Sequence, residues 1–278
     1  MSSSTAGLDM ISVDPRRVAD LQENLAEVQA RVDKAANGRP VTLVAVSKYM
    51  PPSDLQLLYS SPHRQLHFGE NYLQELLHKS SLLPADIHWH FQGALQTNKC
   101  KNLASQIRNL WSVETVDTVK KADALEKGRR SVLEGKGEVG EEGKKWARLR
   151  VYVQVNTSGE ESKSGVEPPE AHALCRHIHN SCPSLTLSGL MTIGSRSNSL
   201  SSSEENPDFK TLVSVRDQIS KELGVELGLS MGMSSDFEEA IRMGSTNVRV
   251  GSLLFGKRKT KEEMDELKKR TAETEKAR

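Results

Sequence analysis

Between residues 42 and 250 short apolar runs alternate with longer segments in which apolar residues recur every three or four positions. The runs are 42–47 (TLVAVS), 66–69 (LHFG), 88–92 (HWHFQ), 110–113 (LWSV), 150–155 (RVYVQV), 185–191 (LTLSGLM), 227–231 (LGLSM) and 247–250 (NVRV), eight in all. Runs of this kind predict strands buried on both faces, as in a parallel sheet. The segments between them predict helices near 53–60, 71–80, 97–106, 117–130, 168–180, 208–223 and 235–243, several opened by Ser, Thr, Asp or Pro in capping positions. Ahead of the first strand, Asp14-Pro15 gives a capping carboxylate and a proline for the first turn. Val18, Leu21, Leu25, Val28 and Val32 then follow at helical spacing as far as Asn37-Gly38 and Pro40. Eight strands with helical connections and one leading helix count out as an α/β chain, a single (β/α)8 TIM barrel with an extra N-terminal helix. A doubly wound dinucleotide fold would need glycines after its first strand, where Ser47-Lys48-Tyr49 stands instead.

The expected domain is a barrel over 14–260, after a disordered N-terminus at 1–13. Residues 127–148 are charged and Gly-rich and 195–207 are Ser-rich, so both read as flexible surface insertions. The tail 261–278 pairs Asp265 with Lys269 and Glu266 with Arg270 and is expected as a charged, solvated helix.

Composition narrows the function classes. With 278 residues and 36% hydrophobic content the chain can bury a full core. Lys plus Arg (38) and Asp plus Glu (37) nearly cancel, which argues against nucleic acid as the main partner. Three cysteines, Cys100, Cys175 and Cys182, form no CxxC pair and fit a reducing compartment. With no secretory leader pattern in the first dozen residues and no membrane-spanning run, the expectation is a soluble cytosolic protein.

A barrel assembles its site from residues just after each strand. Those are Lys48, Glu70-Asn71, Gln92-Gly93, Glu114, Asn156-Thr157, Met191-Thr192, Ser230 to Ser234, and Arg249 to Ser252. Lys48 ends an apolar strand just before Pro51-Pro52 turn the chain. An ammonium at such a rim is poorly hydrated, its pKa tends to fall, and the amine becomes able to form a Schiff base; the bland alternative is a lysine that snorkels into water. Ser230-Met-Gly-Met-Ser234 and Gly251-Ser252 sit after strands seven and eight, the usual barrel phosphate site. A lysine on strand one with a phosphate cup across strands seven and eight is what a barrel needs to hold pyridoxal 5'-phosphate (PLP), with Arg249 near the pyridine nitrogen.

VAVSKYMP, HFGENYLQE, WHFQGALQTNK, VNTSGEESKSGV, GLMTIG, LSMGMSSDFEEAI and STNVRVGSLLFG resemble, motif for motif, the YggS/PROSC family of pyridoxal phosphate homeostasis proteins, from about residue 14 to 256. The resemblance implies a barrel of the alanine-racemase N-terminal type with PLP on Lys48. It further implies Ser230, Ser234, Gly251 and Ser252 around the phosphate, Asn71 and Met191 near the ring, and Arg249 at the ring nitrogen. The implied role is a carrier or buffer in vitamin B6 homeostasis that hands PLP to acceptor apo-enzymes, without established turnover.

The alternative is a weak PLP-dependent racemase-like enzyme. Arginine at the ring nitrogen weakens the electron sink. Alanine racemase, which the chain resembles only in its barrel, carries a separate C-terminal domain that supplies a second base; no such domain is expected here, and a monomer is expected for the same reason. A third reading rests on His88-Trp-His90, an HxH that places two imidazoles on one strand face, either as metal ligands or as rings packed and hydrogen-bonded at the barrel end. Glu114 is expected in a loop or helix cap and Asp236 in a first helical turn. Neither they nor Glu70 receives a catalytic role.

Overall fold

The structure is a computed structural model that describes residues 14–134, 147–160, 163–195, 197–198 and 205–256. In chain order its elements are α1 (Pro15–Ala36), β1 (Thr42–Val46), α2 (Pro52–Tyr59), β2 (His67–Glu70), α3 (Leu73–Leu82), β3 (His88–Phe91), α4 (Thr97–Gln106), β4 (Leu110–Val116), α5 (Val119–Glu134), β5 (Leu149–Gln154), α6 (Pro168–Ser181), β6 (Leu185–Met191), α7 (Pro207–Leu223), β7 (Gly228–Ser230), α8 (Phe237–Arg242), β8 (Asn247–Val250) and α9 (Ser252–Phe255). The eight strands are parallel and close in sequence order, β8 pairing back onto β1 from Thr42↔Asn247 to Ala45↔Val250. This is the (β/α)8 barrel that the apolar runs predict.

α1 starts where Asp14 accepts a hydrogen bond from the Arg16 amide at 2.9 Å and ends at Asn37 in the left-handed region. Its stripe Leu21, Leu25, Val28, Val32 and Ala36 is buried. α8 and α9 have only six and four residues, and α1 lies against both. The extra helix thus covers barrel wall that two short helices leave bare. Arg31 pairs with Glu238, Arg17 with Asp54, and Asn24 Nδ2 donates to the Leu254 carbonyl.

Three departures from the sequence reading go beyond a shift of a residue or two at an element end. β4 continues past Val113 to Val116, so Glu114 is a strand residue, fully buried, and not part of a loop or cap. Its polar side chains Ser112 and Glu114 break the apolar pattern because their partners lie inside the barrel. Residues 127–134, read as the start of an insertion, continue α5; Gly128 stands where an added Cβ would meet the Lys101 carbonyl at 2.5 Å, and Arg129 is buried beside it with Nε donating to Ala147 O. At the other end of the Ser-rich segment Asn206 caps α7 by accepting from the Asp208 amide. Residues 1–13, 135–146, 199–204 and 261–278 lie outside the described residues. No helix among the described residues is long and apolar enough to cross a membrane. All three cysteines are free and buried, and burial pushes the Cys175 thiol up to about 12.

β6 and β7 leave no room for a side chain at Gly189, where a Cβ would sit 2.1 Å from the Gly228 carbonyl oxygen. Gly189→Ala must force the two strands apart. We expect a loss of at least about 2 kcal/mol, the scale of overpacking in a tight interior, read as a lower midpoint in urea unfolding. An unchanged midpoint would mean that the strands slide freely.

Candidate cofactor site at the strand C-terminal ends

A cavity of about 360 Å³ opens at the C-terminal ends of the strands, within the range of small-molecule sites. Lys48 after β1, Asn71 after β2, Met191 ending β6, Ser234 and Ser235 in the β7–α8 loop, Arg249 on β8, and Gly251 and Ser252 opening α9 all line it. Seven of the eight residues expected at the site therefore converge. The eighth, Ser230, does not: it is fully buried beneath Arg249. Its Oγ accepts from Arg249 Nη1 at 2.8 Å and donates its one proton to Glu114 Oε2 at 2.7 Å. A hydroxyl so committed has no proton for a phosphate. Gln92 and Met233, both within the strand-end stretches named from sequence but given no role there, also line the cavity, as does Ile193, which lies outside them. Gln92 was legible as a strand-end residue; Ile193 and Met233 carry no polar signal.

The turn that presents Lys48 is held from outside the barrel. Lys79 of α3, buried, donates to Ser47 O at 2.8 Å and to Glu70 Oε1 and Glu75 Oε1, each at 2.7 Å. Ser47 Oγ donates to Glu70 Oε1 at 2.6 Å, and the Tyr49 amide donates to Glu75 Oε1 at 2.7 Å. Tyr49 takes φ +65, the left-handed region, and its hydroxyl meets that of Tyr72 at 2.6 Å. Both neighbours of Lys48 are thus anchored to one buried ionic cluster. Burial raises the Glu70 carboxyl while Lys79 opposes it. Glu75 and Lys79 stand four apart on α3, a spacing equally common on exposed helix faces, and neither follows a strand, so neither is among the residues that the sequence points to.

The floor of the cavity is held from inside. Glu114 Oε1 receives His90 Nδ1 at 2.7 Å and Asn247 Nδ2 at 2.9 Å. β4 and β8 lie across the barrel from one another, so these contacts pass through its lumen. Burial would raise the Glu114 carboxyl, but the His90 hydrogen bond and charge, Arg249 and Ser230 outweigh it and hold it at about 2. His90 Nε2 meets His67 Nδ1 at 2.9 Å, and His67 Nε2 meets His88 Nδ1 at 3.3 Å. His88 stacks on Trp111 at 4.1 Å between centroids, and Arg150 lies over the same indole. The HxH pair is therefore hydrogen-bonded within the lumen, the second of the two readings open for it.

Asn71 Oδ1 is buried at the cavity without a partner among the described residues. Hydroxyls at Ser234, Ser235 and Ser252 stand at one end, and Gly251 N donates to Ser234 Oγ at 3.3 Å. A guanidinium lies at the floor and a primary amine at the rim. An anionic, aromatic aldehyde with a ring hydroxyl matches this donor set, and the orphaned Asn71 acceptor leaves a place for that hydroxyl.

The fold and this site define a barrel of the alanine racemase N-terminal type: the family model of that description matches residues 17–259. A pyridoxal phosphate homeostasis protein of Schizosaccharomyces pombe is 47% identical over 238 residues, spanning 86% of this chain and 93% of its own. The Homo sapiens protein of the same name is 44% identical over 249 residues, spanning 84% and 85%. PipY of Synechococcus elongatus, solved with PLP bound, superposes with a TM-score of 0.65 at 26% identity, covering 85% of this chain and all of PipY. The chain belongs to the alanine racemase N-terminal domain family, in its pyridoxal phosphate homeostasis branch.

The lumen network sets a pH dependence. Burial first, then His90, His88 and Arg150, lower His67 from 6.5 to about 3. Below 6.5 the unfolded chain takes up a proton that the folded His67 refuses, so stability falls as pH drops from about 6.5 toward 3. Glu114, depressed from 4.5 to about 2, adds a loss in the same direction below about 4.5. Urea unfolding across pH 7 to 4 should show this decline, and His67→Gln should flatten it above pH 4.5; equal slopes in both proteins would remove His67 as its source.

Proposed function

We propose that this chain holds pyridoxal 5'-phosphate in the strand-end cavity, attached through a Schiff base to Lys48, and acts as a cytoplasmic, monomeric carrier or buffer that supplies acceptor apo-enzymes. The observation that carries the reading is the convergence of Lys48, Arg249 and the Ser234/Gly251/Ser252 end on one cavity. Membership in the homeostasis branch and the PLP-bound PipY relative support it. Three free, buried thiols suit a reducing compartment.

When bound, PLP supplies an aldehyde carbon with which a lysine amine condenses reversibly, with loss of water. The chain's own residues do the rest. The Lys79 cluster fixes the turn that presents the Lys48 amine, so little conformational freedom is lost when the amine is engaged. Ser234, Ser235 and Ser252 offer hydroxyl donors, and the Gly251 loop adds backbone, to an anionic end. Arg249, which stays charged, would offer an N–H to the ring nitrogen and so disfavour its protonation.

Carrier is favoured over racemase by the same lining. Among the described residues around the cavity, Lys48 and Arg249 are the ionisable side chains, and an arginine does not serve as a general base near neutral pH. Stereochemical inversion needs a proton donor and an acceptor on opposite faces of the substrate. The cavity offers one such group, and at most a weak exchange reaction is expected.

Lys48→Ala should abolish the visible band of lysine-bound cofactor at about 420 nm and the borohydride-fixed adduct, while the far-UV spectrum and unfolding midpoint stay near wild type. A variant that keeps the band would place the attachment elsewhere.

A further inference from the structure

Among the described residues, Arg249 is the charged side chain at the cavity floor, and its direct partners Ser230 and Thr192 do not line the cavity. Nη2 donates to the Thr192 carbonyl at 2.7 Å and Nη1 to Ser230 Oγ at 2.8 Å. A guanidinium only donates, so Ser230 accepts from it, and its single proton then runs to Glu114 Oε2. Asn247, on the same strand as Arg249, donates from Nδ2 to Glu114 Oε1 and lies 3.4 Å from Ser230 Oγ. Ser112 and Gln92 donate to the same carboxylate at 3.1 and 3.3 Å. Every hydrogen bond that Glu114 makes is one that it accepts. A neutral amide of the same shape would put a donor where donors already point, and Ser230 would have to turn.

We propose that Glu114 is a positioning residue for the cofactor: its carboxylate, acting through Ser230 and Asn247, fixes the Arg249 guanidinium in the orientation that meets the ring nitrogen of bound PLP. The inference rests on the PLP reading above. It reaches from β4 across the lumen to β7 and β8, and so assigns to a buried strand residue a task that local sequence places on the lining alone. The carboxylate supplies the negative charge that lets an arginine stay ionised at a water-poor cavity floor. Ser230 transmits its direction. A purely structural role would require only that the lumen be filled; a positioning role requires that the acceptor be there.

The test compares wild type with Glu114→Gln, Glu114→Asp and Ser230→Ala. In the unloaded protein, solvent exchange of the Arg249 Nε–H proton, followed by 15N NMR, should be at least roughly tenfold faster in E114Q and S230A than in wild type. In the loaded protein, PLP should bind roughly tenfold more weakly to E114Q, with a displaced pH midpoint of the visible band, and E114D should restore much of both. S230A leaves both charges in place and decides the exchange question should E114Q fail to fold. Arg249 exchange within about twofold of wild type in S230A, or in a folded E114Q with an unshifted band, overturns the proposal. If wild type itself takes up no PLP, the functional reading fails, while the exchange measurement still decides whether Glu114 holds Arg249.

Discussion

A guanidinium at the floor of a binding cavity has to be neutralised without closing the cavity, and the barrel meets this demand by sending the counter-charge across its lumen. Glu114 on β4 and Arg249 on β8 are both buried and are linked through Ser230 on β7. Removing two such charges from water costs several kcal/mol each, a cost offset only when every lone pair and proton is satisfied. The satisfaction here is nearly complete on the anionic side, with His90, Asn247, Ser112, Ser230 and Gln92 all directed at one carboxylate. This explains a lumen unlike the branched-aliphatic layers usual in such barrels. Once a carboxylate sits inside, its neighbours must be polar, and their neighbours after them. The histidine line from His90 through His67 to His88 is the continuation of that requirement to the opposite mouth.

A second ionic cluster lies on the other side of the same strand layer. Successive side chains on a strand face opposite ways, so Val46 and Lys48 reach the cavity while Ser47 between them turns out toward α3. There Lys79, Glu70 and Glu75 lock the backbone on either side of the lysine. The two charged ends of the cavity are therefore fixed by separate networks that share no side chain. Separate side-chain sets are what allow the roles of the amine and the guanidinium to be probed by different variants.

The pattern of apolar runs carried the barrel and its extra helix because both depend on local periodicity. Lys48, Ser234, Gly251 and Ser252 were legible for the same reason: a residue just past an apolar run in a barrel is a rim residue whatever its partners. Ser230 and Glu114 were not. Both stand at strand ends in the sequence, yet the pleat turns them inward and a few residues of register decide between rim and floor. For β4 the pairing with β3 shifts between Trp89 and His90, and no local signal announces such a shift. Lys79 was hidden differently, because a Glu75–Lys79 spacing looks the same on an exposed helix face as on a buried one. What local sequence lacks in each case is the identity of the strand or helix opposite.

The rim differs from the floor in a way that bears on the proposed role. Arg249 is buried and constrained by Ser230 and Thr192 and by the charge beyond them, whereas Ile193, which also lines the cavity, is 43% exposed. A catalyst benefits from a closed mouth that excludes water. A carrier on the proposed reading needs the reverse, a rigid seat with an edge that a second protein or a competing amine can approach. An apolar side chain left in solvent at the edge of a rigid seat fits that second requirement: on this reading the floor sets how tightly the cofactor is held, and the open edge sets how readily it leaves.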